Sequence, residues 1–225
     1  MSPLHVVLAG GGTAGHTSPL IATAQQLQAQ ADVEITCVGT PKGLESRVIP
    51  EAGLSLELIP PVPLPRRLTP ELLAVPGRLV GAVREAGAIL RNHSAQVAVG
   101  FGGYVSLPVY LAARLAKVPL VLHEGNAVPG LANRIAARFT PHVATTFPDT
   151  KLPHAVHLGL PVRAGIATLD RLARRPAGRA AFGLPAQGRV LLVSGGSQGA
   201  RSLNQATVGA TDRLLASGIS VLHVL

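Results

Sequence analysis

The sequence predicts an α/β fold, with one complete doubly wound parallel sheet and the start of a second. Three observations predict it. Short β-rich runs alternate with segments of helical pattern, as expected for a parallel sheet wrapped by helices. A glycine-rich stretch lies between the first strand and the first helix. The same order of strand, glycine loop and helix returns near residue 189.

Along the chain, the first strand is predicted at 4–9, LHVVLA, an apolar run that stops at Gly10-Gly11-Gly12. A helix follows at 16–30, and VEITCV at 33–38 predicts the second strand. The helix 43–52 then leads to a third strand at 56–59. Residues 71–91 predict the next helix, with Pro76 expected to kink or split it. Strands at 97–100, 120–122, 142–145 and 156–158 complete the unit, with helices at 107–116 and 130–137 between them. Gly159-Leu160-Pro161-Val162-Arg163 reads as a turn that ends an N-terminal domain at residue 160. In the remainder, 161–225, the basic stretch 171–179 holds Pro176 and Gly178 and reads as a surface connection. A strand at 189–194, the loop Gly195-Gly196-Ser197-Gln198-Gly199-Ala200, a helix to about residue 217 and a strand at 219–225 follow. A strand–helix–strand piece alone buries too little surface to be stable, so the sequence reads as stopping inside this second domain.

Composition narrows the function. Hydrophobic residues make up 47% of the 225, enough to bury a core, and the formal charge is +9. Only Lys42, Lys117 and Lys151 are lysines; the other 17 basic residues are arginines, suited to bidentate contacts with phosphate or an anionic surface. Aromatics are 3% with no Trp, which argues against single-stranded nucleic acid as a partner. The single Cys37 supports neither an internal disulfide nor a cysteine zinc cage, and fits a reducing compartment. The longest mostly apolar stretch, 97–122, is broken by Gly100, Gly102, Gly103, Pro108, Arg114 and Pro119 and is no membrane span. The N-terminus lacks the basic region of a secretion signal.

Gly10-x-Gly12-x-x-Gly15, after a strand and at the start of a helix, matches the dinucleotide-binding fingerprint, whose backbone N–H groups cradle phosphate. A nicotinamide-dependent oxidoreductase needs an acidic residue at the end of the second strand, where this chain has Gly39-Thr40-Pro41. His16 stands in the first turn of the helix, where the positive end of the dipole keeps the ring neutral and able to accept a proton. The other histidines show no metal-ligand spacing and no Asp-x-Asp pair occurs, so no chelated metal is expected. Gly100-Phe101-Gly102-Gly103-Tyr104-Val105-Ser106 and His123-Glu124-Gly125-Asn126 each follow a strand. Loops at the carboxyl ends of strands converge on one cleft in a doubly wound sheet.

Together, Gly11-Gly12-Thr13-Ala14-Gly15-His16, Gly102-Gly103-Tyr104-Val105-Ser106, His123-Glu124-Gly125-Asn126 with Gly130-Leu131-Ala132-Asn133, and Gly195-Gly196-Ser197-Gln198-Gly199-Ala200-Arg201 resemble the MurG family of peptidoglycan glycosyltransferases. The resemblance runs over essentially the whole chain. It implies a glycosyltransferase B architecture of two Rossmann-like domains, here the first and the beginning of the second. It also implies inverting transfer of N-acetylglucosamine from UDP-N-acetylglucosamine to an undecaprenyl-linked muramyl-pentapeptide, without cofactor or chelated metal, at the cytoplasmic face of the membrane. By position, His16 would be the base. Thr13, Gly15, Tyr104, Glu124, Asn126 and Asn133 would line the acceptor side. Gly12, Thr13, Ala14, Gly15, Asn126, Arg163, Ser197 and Gln198 would meet the donor. Gly125 and Leu160 depart from the family, which usually has Gln and Asn there.

Arg66, Arg67, Leu72, Leu73, Val75, Arg78 and Leu79 form an apolar stripe flanked by arginines, a pattern that can lie on an anionic membrane surface. The competing expectation is an amphipathic helix packed on the sheet. Two other functional readings stay open: the oxidoreductase, and a non-catalytic fragment that binds lipid diphosphate.

Overall fold

The computed structural model describes residues 3–62, 74–196 and 199–224. They fall into two compact units, Met1–Ala164 and Gly165–Leu225.

In the first unit, seven strands form one parallel sheet: β1 (Leu4–Ala9), β2 (Val33–Gly39), β3 (Ser55–Leu58), β4 (Val97–Gly100), β5 (Leu120–Glu124), β6 (His142–Thr145) and β7 (Ala155–His157), in the order β3-β2-β1-β4-β5-β6-β7. Helices α1 (Ala14–Gln30) and α2 (Glu45–Glu51) cover one face, and α3 (Val75–Asn92), α4 (Ser106–Ala116) and α5 (Leu131–Ala136) the other. Because side chains alternate along a strand, the run at 4–9 feeds both layers. Val6 and Leu8 pack with Leu20, Ile21 and Ala24 of α1, while Val7 and Ala9 pack with Ile89 and Leu90 of α3 and Tyr110 of α4. Burial on both faces is why the central strands read as continuous apolar runs. Cys37 lies in this core, its thiol pushed up to about 12 by burial, so it is no thiolate nucleophile.

Pro76 neither kinks nor splits α3. It occupies the first turn, where its missing N–H has no helical partner to lose. Residues 71–73 of the predicted helix lie outside the described residues. The distal half of α3 is an amphipathic helix packed on the sheet, with Ala82, Ala86, Ile89 and Leu90 buried and Arg78 and Arg84 exposed. Among the described residues, no helix is long and apolar enough to cross a membrane.

In the second unit, the stretch 171–179 corrects the reading of a surface connection. After a helical turn, α6 (Ala164–Ala167), Arg171–Ala181 forms helix α7. Asp170 caps it, one carboxylate oxygen accepting from the amides of Leu172 and Ala173 at 3.0 Å each. Pro176 removes the helical bond to the carbonyl of Leu172, a residue that is 81% exposed. Strand β8 (Arg189–Ser194), helix α8 (Arg201–Ala216) and strand β9 (Ile219–Val224) follow, β8 and β9 pairing in parallel from Arg189↔Ile219 to Ser194↔Val224.

Candidate active site

The strand order reverses between β1 and β4, and Ala9 pairs with Gly100. The loops after these two strands therefore leave the sheet side by side, at the switch point where ligands of doubly wound sheets bind. They touch. Gly103 has φ +85°, and a Cβ there would strike the carbonyl oxygen of Gly11, so only glycine serves. Ser106 ties the loops together, its hydroxyl donating to the Gly102 carbonyl at 2.6 Å with the Ala9 carbonyl 3.1 Å away.

His16 is the third residue of α1. Its Nδ1 lies 3.1 Å from the Gly11 carbonyl oxygen and 3.1 Å from Thr13 Oγ1. A carbonyl oxygen only accepts, so Nδ1 carries the proton and Nε2 keeps a lone pair. Among the described residues Nε2 has no hydrogen-bond partner. Burial holds the ring below its ordinary value of 6.5; the bond to Gly11 and the charges of Glu124 and Glu45 oppose this without reversing it. The result is a neutral imidazole with a free basic nitrogen near pH 7.

Glu124, at the end of β5, is buried, and its carboxylate is saturated. One oxygen accepts from the Asn126 amide at 2.8 Å and its side-chain Nδ2 at 2.9 Å; the other accepts from the Gly130 amide and Asn133 Nδ2, both at 2.9 Å. Asn133 is equally committed, since its Oδ1 accepts from Tyr110 Oη at 2.8 Å. Tyr110 in turn accepts from the Gly102 amide at 3.1 Å. Glu124 and Asn133 thus fold the loop 124–133 against the second glycine loop and have no free polar atom to carry a proton.

His16, Tyr104, Glu124, Asn126 and Asn133 line one cavity of about 320 Å³. Thr13 joins this group through its bond to His16, and the exposed Gly15 lies one residue away in the first turn. Val75 and Leu79, expected on an outward stripe, line the same cavity with Leu107, Pro108 and Leu131. They give it an apolar wall, while Arg78 remains exposed. Ala14 and Arg163 line a separate hollow with Thr17, Ser18 and Glu51. Arg66, Arg67, Leu72, Leu73, Ser197 and Gln198 lie outside the described residues.

The Gly12 amide, expected on the donor side, donates to Glu45 at 2.8 Å. The amides left for an anion are those of Ala14 and Gly15, which begin α1 and have no helical acceptor. Glu45 and Tyr110 were not read from the sequence. Glu45 looks like an ordinary first-turn acid of α2, and Tyr110 like one more apolar residue of α4. The only sequence signal was that Tyr110 is one of two tyrosines in the chain. The room at Gly125 is also informative: a Cβ there would meet the Gly15 carbonyl at an ordinary 3.6 Å, so a side chain fits where this chain has none.

Comparison with known proteins places this geometry. The Glycosyltransferase family 28 N-terminal domain matches residues 6–145. The chain is 59% identical over 228 residues to the UDP-N-acetylglucosamine–N-acetylmuramyl-(pentapeptide) pyrophosphoryl-undecaprenol N-acetylglucosamine transferase of Cutibacterium acnes, covering 99% of this chain and 61% of the relative. It is 59% identical to the enzyme of the same name from a Nocardioides species, covering 98% and 60%. The chain thus spans about 60% of the length of these curated relatives. Among solved structures, MurG of Acinetobacter baumannii superposes with a TM-score of 0.66 at 26% identity, over 99% of this chain and 66% of that one. The glycosyltransferase of kitacinnamycin, at a TM-score of 0.65 and 15% identity over 99% of this chain and 65% of that one, shares the fold. Because the family match covers residues 6–145, more than half of the chain, the chain belongs to glycosyltransferase family 28.

Proposed function

We propose that this chain is the acceptor-binding part and the beginning of the donor-binding part of an inverting glycosyltransferase. It moves N-acetylglucosamine from UDP-N-acetylglucosamine to the C4 hydroxyl of an undecaprenyl-linked N-acetylmuramyl-pentapeptide. The relatives' names state this donor sugar and this acceptor. One observation carries the reading: His16 presents an unprotonated Nε2 in a cavity lined by both glycine loops and the loop after β5. In a single displacement, Nε2 takes the proton of the attacking hydroxyl while its oxygen forms the bond to the anomeric carbon. The bond from that carbon to the diphosphate breaks, and UDP leaves. The Ala14 and Gly15 amides at the start of α1 stabilise diphosphate charge. Arg163, Ser197 and Gln198 are each read as donor-binding residues, the guanidinium suited to a charge-assisted contact with phosphate.

The reading is tested in a chain extended at its C-terminus by the corresponding portion of the Cutibacterium acnes relative. Radiolabelled N-acetylglucosamine should pass to the lipid-linked acceptor, and calorimetry should find UDP-N-acetylglucosamine bound and NAD not bound. Binding of the acceptor with no transfer would instead favour the non-catalytic lipid-diphosphate reading. NAD binding would restore the oxidoreductase.

The acceptor is lipid-linked, so the same reading puts the enzyme on the anionic cytoplasmic face of the membrane, peripherally, held by basic residues near Arg66, Arg67 and Arg78. Each basic residue near such a surface is worth about 1 kcal/mol. In flotation with vesicles containing phosphatidylglycerol, the Arg66→Ser, Arg67→Ser, Arg78→Ser variant should bind on the order of 100-fold more weakly. Binding should also fall as salt shortens the Debye length to about 8 Å and below. Flotation unchanged by both treatments would remove the membrane-facing role of these arginines.

A further inference from the structure

We propose that Glu45 is a positioning residue for the transfer described above. Its buried carboxylate sets the first glycine loop and, through Thr40, the hydroxyl of Tyr104 in the wall of the His16 cavity. The inference rests on the transfer reading, because Tyr104 and His16 matter there as parts of the acceptor site.

Glu45 begins α2 and is wholly buried. Among the described residues no cation pairs with it. A buried carboxylate without an ion pair is costly unless its lone pairs are filled, and a well-packed apolar residue of similar size would avoid that cost. Here the surroundings are shaped to the carboxylate. Added Cβ atoms at Gly11 and Gly39 would stand 2.5 Å from atoms of its side chain, and one at Gly43 would strike its carboxylate. Three glycines, Gly11 in the loop after β1 and Gly39 and Gly43 at the two ends of the connection from β2 to α2, thus make room for one side chain. One oxygen accepts from the Gly12 amide at 2.8 Å; the other accepts from the Thr40 amide at 3.1 Å and its hydroxyl at 2.8 Å.

The direction of the chain of hydrogen bonds follows from donor chemistry. A carboxylate accepts only, so the Thr40 hydroxyl spends its single proton on Glu45. Tyr104 Oη lies 3.1 Å from Thr40 Oγ1, and with that proton spent Tyr104 must donate. The Tyr104 proton is therefore turned away from the cavity, and its oxygen meets a bound hydroxyl or amide only as an acceptor. The ring also closes over Gly12, where a Cβ would come within 3.0 Å of Cε1. Glu45 thereby holds the backbone on which His16 is hung and the aromatic wall beside it. Its charge also counters the effect of burial on His16; Glu124, on β5, is the other charged group acting on that ring, and Tyr104 is the titratable neighbour across Gly12.

The test compares Glu45→Gln and Thr40→Val with wild type in two settings. In the 225-residue chain, the His16 C2–H resonance, assigned by its loss in His16→Gln, is titrated by NMR. Glu45→Gln should lower the midpoint, since a negative charge is removed, and Thr40→Val should leave it in place. In the extended chain, Glu45→Gln should lower kcat roughly 10- to 100-fold, as for a misplaced reacting group, with KM for donor and acceptor nearly unchanged. Thr40→Val should give a smaller fall in kcat, with a thermal midpoint lowered by the loss of one donor to the buried carboxylate. A Glu45→Gln chain with wild-type His16 titration and wild-type kcat would overturn the proposal. If Glu45→Gln does not fold, Thr40→Val decides, and wild-type kcat in that variant overturns the relay to Tyr104. If the wild-type extended chain transfers no sugar, the transfer reading falls instead, and the His16 titration alone shows whether Glu45 governs that ring.

Discussion

His16→Ala in the extended chain should lower kcat by roughly 10²- to 10⁴-fold, the usual worth of a general base. Nε2 is the one basic nitrogen in the cavity wall among the described residues, while Glu124 and the amide of Asn133 are committed to internal bonds. No neighbour can take over the proton. The pH dependence follows from burial. The base works only when neutral, and burial holds its pKa below the ordinary value, so the acid limb of wild-type kcat/KM should have its midpoint below 6.5. The same shift links to stability. A group whose pKa is depressed on folding contributes stability above its unfolded value, and that contribution is lost as pH falls from 6.5 through the folded pKa. His16→Ala should abolish both dependences. Near-normal turnover in His16→Ala, or an acid limb centred above 6.5, would assign the proton to another group.

Glu124→Ala should be the most destabilising single substitution at the site. It removes a buried acceptor serving four donors, the amides of Asn126 and Gly130 and the side chains of Asn126 and Asn133. Leaving such groups unpaired costs about 3–5 kcal/mol in total once water reaches the exposed Asn126. For a unit of this size each kcal/mol moves Tm by about 2–4 °C, so the transition of Met1–Ala164 should fall by roughly 10 °C. Glu124→Gln keeps one acceptor oxygen and should fall about half as far. Calorimetry of the three proteins gives the answer directly, and a change within 2 °C or so for Glu124→Ala would mean that the loop 124–133 is held by something other than this carboxylate.

Much of this was legible in the residues. Strands 4–9, 97–100 and 142–145 have the same bounds in sequence and structure, because an apolar β-branched run bounded by glycine or proline has few alternatives. The glycines of the first two loops carried the position of the cleft, and His16 carried its chemistry. The helix Arg171–Ala181 was missed because Pro176 and Gly178 are local breakers, and a capping Asp170 with full solvent exposure outweighed them. Val75 and Leu79 were expected on an outward stripe, since periodicity defines a helical face but not which cavity that face borders.

By itself, then, the sequence determined what is local: the alternation that makes a parallel sheet, the glycine turns at strand ends, and a histidine in the first turn of α1. Only the tertiary structure decided which groups are free and which are spent. Glu45, 33 residues beyond Gly12 in the chain, takes the amide that the fingerprint alone offers to a phosphate. Tyr110 reaches Asn133 across 23 residues and holds the second glycine loop from below. Glu124 is read from sequence either as lining the acceptor side or as a turn and cap residue, and is found with both carboxylate oxygens accepting within the loop 124–133. The physical reason is that a residue's type and spacing set its donors and acceptors, whereas their pairing depends on neighbours brought together by the sheet order β3-β2-β1-β4-β5, which no local pattern contains.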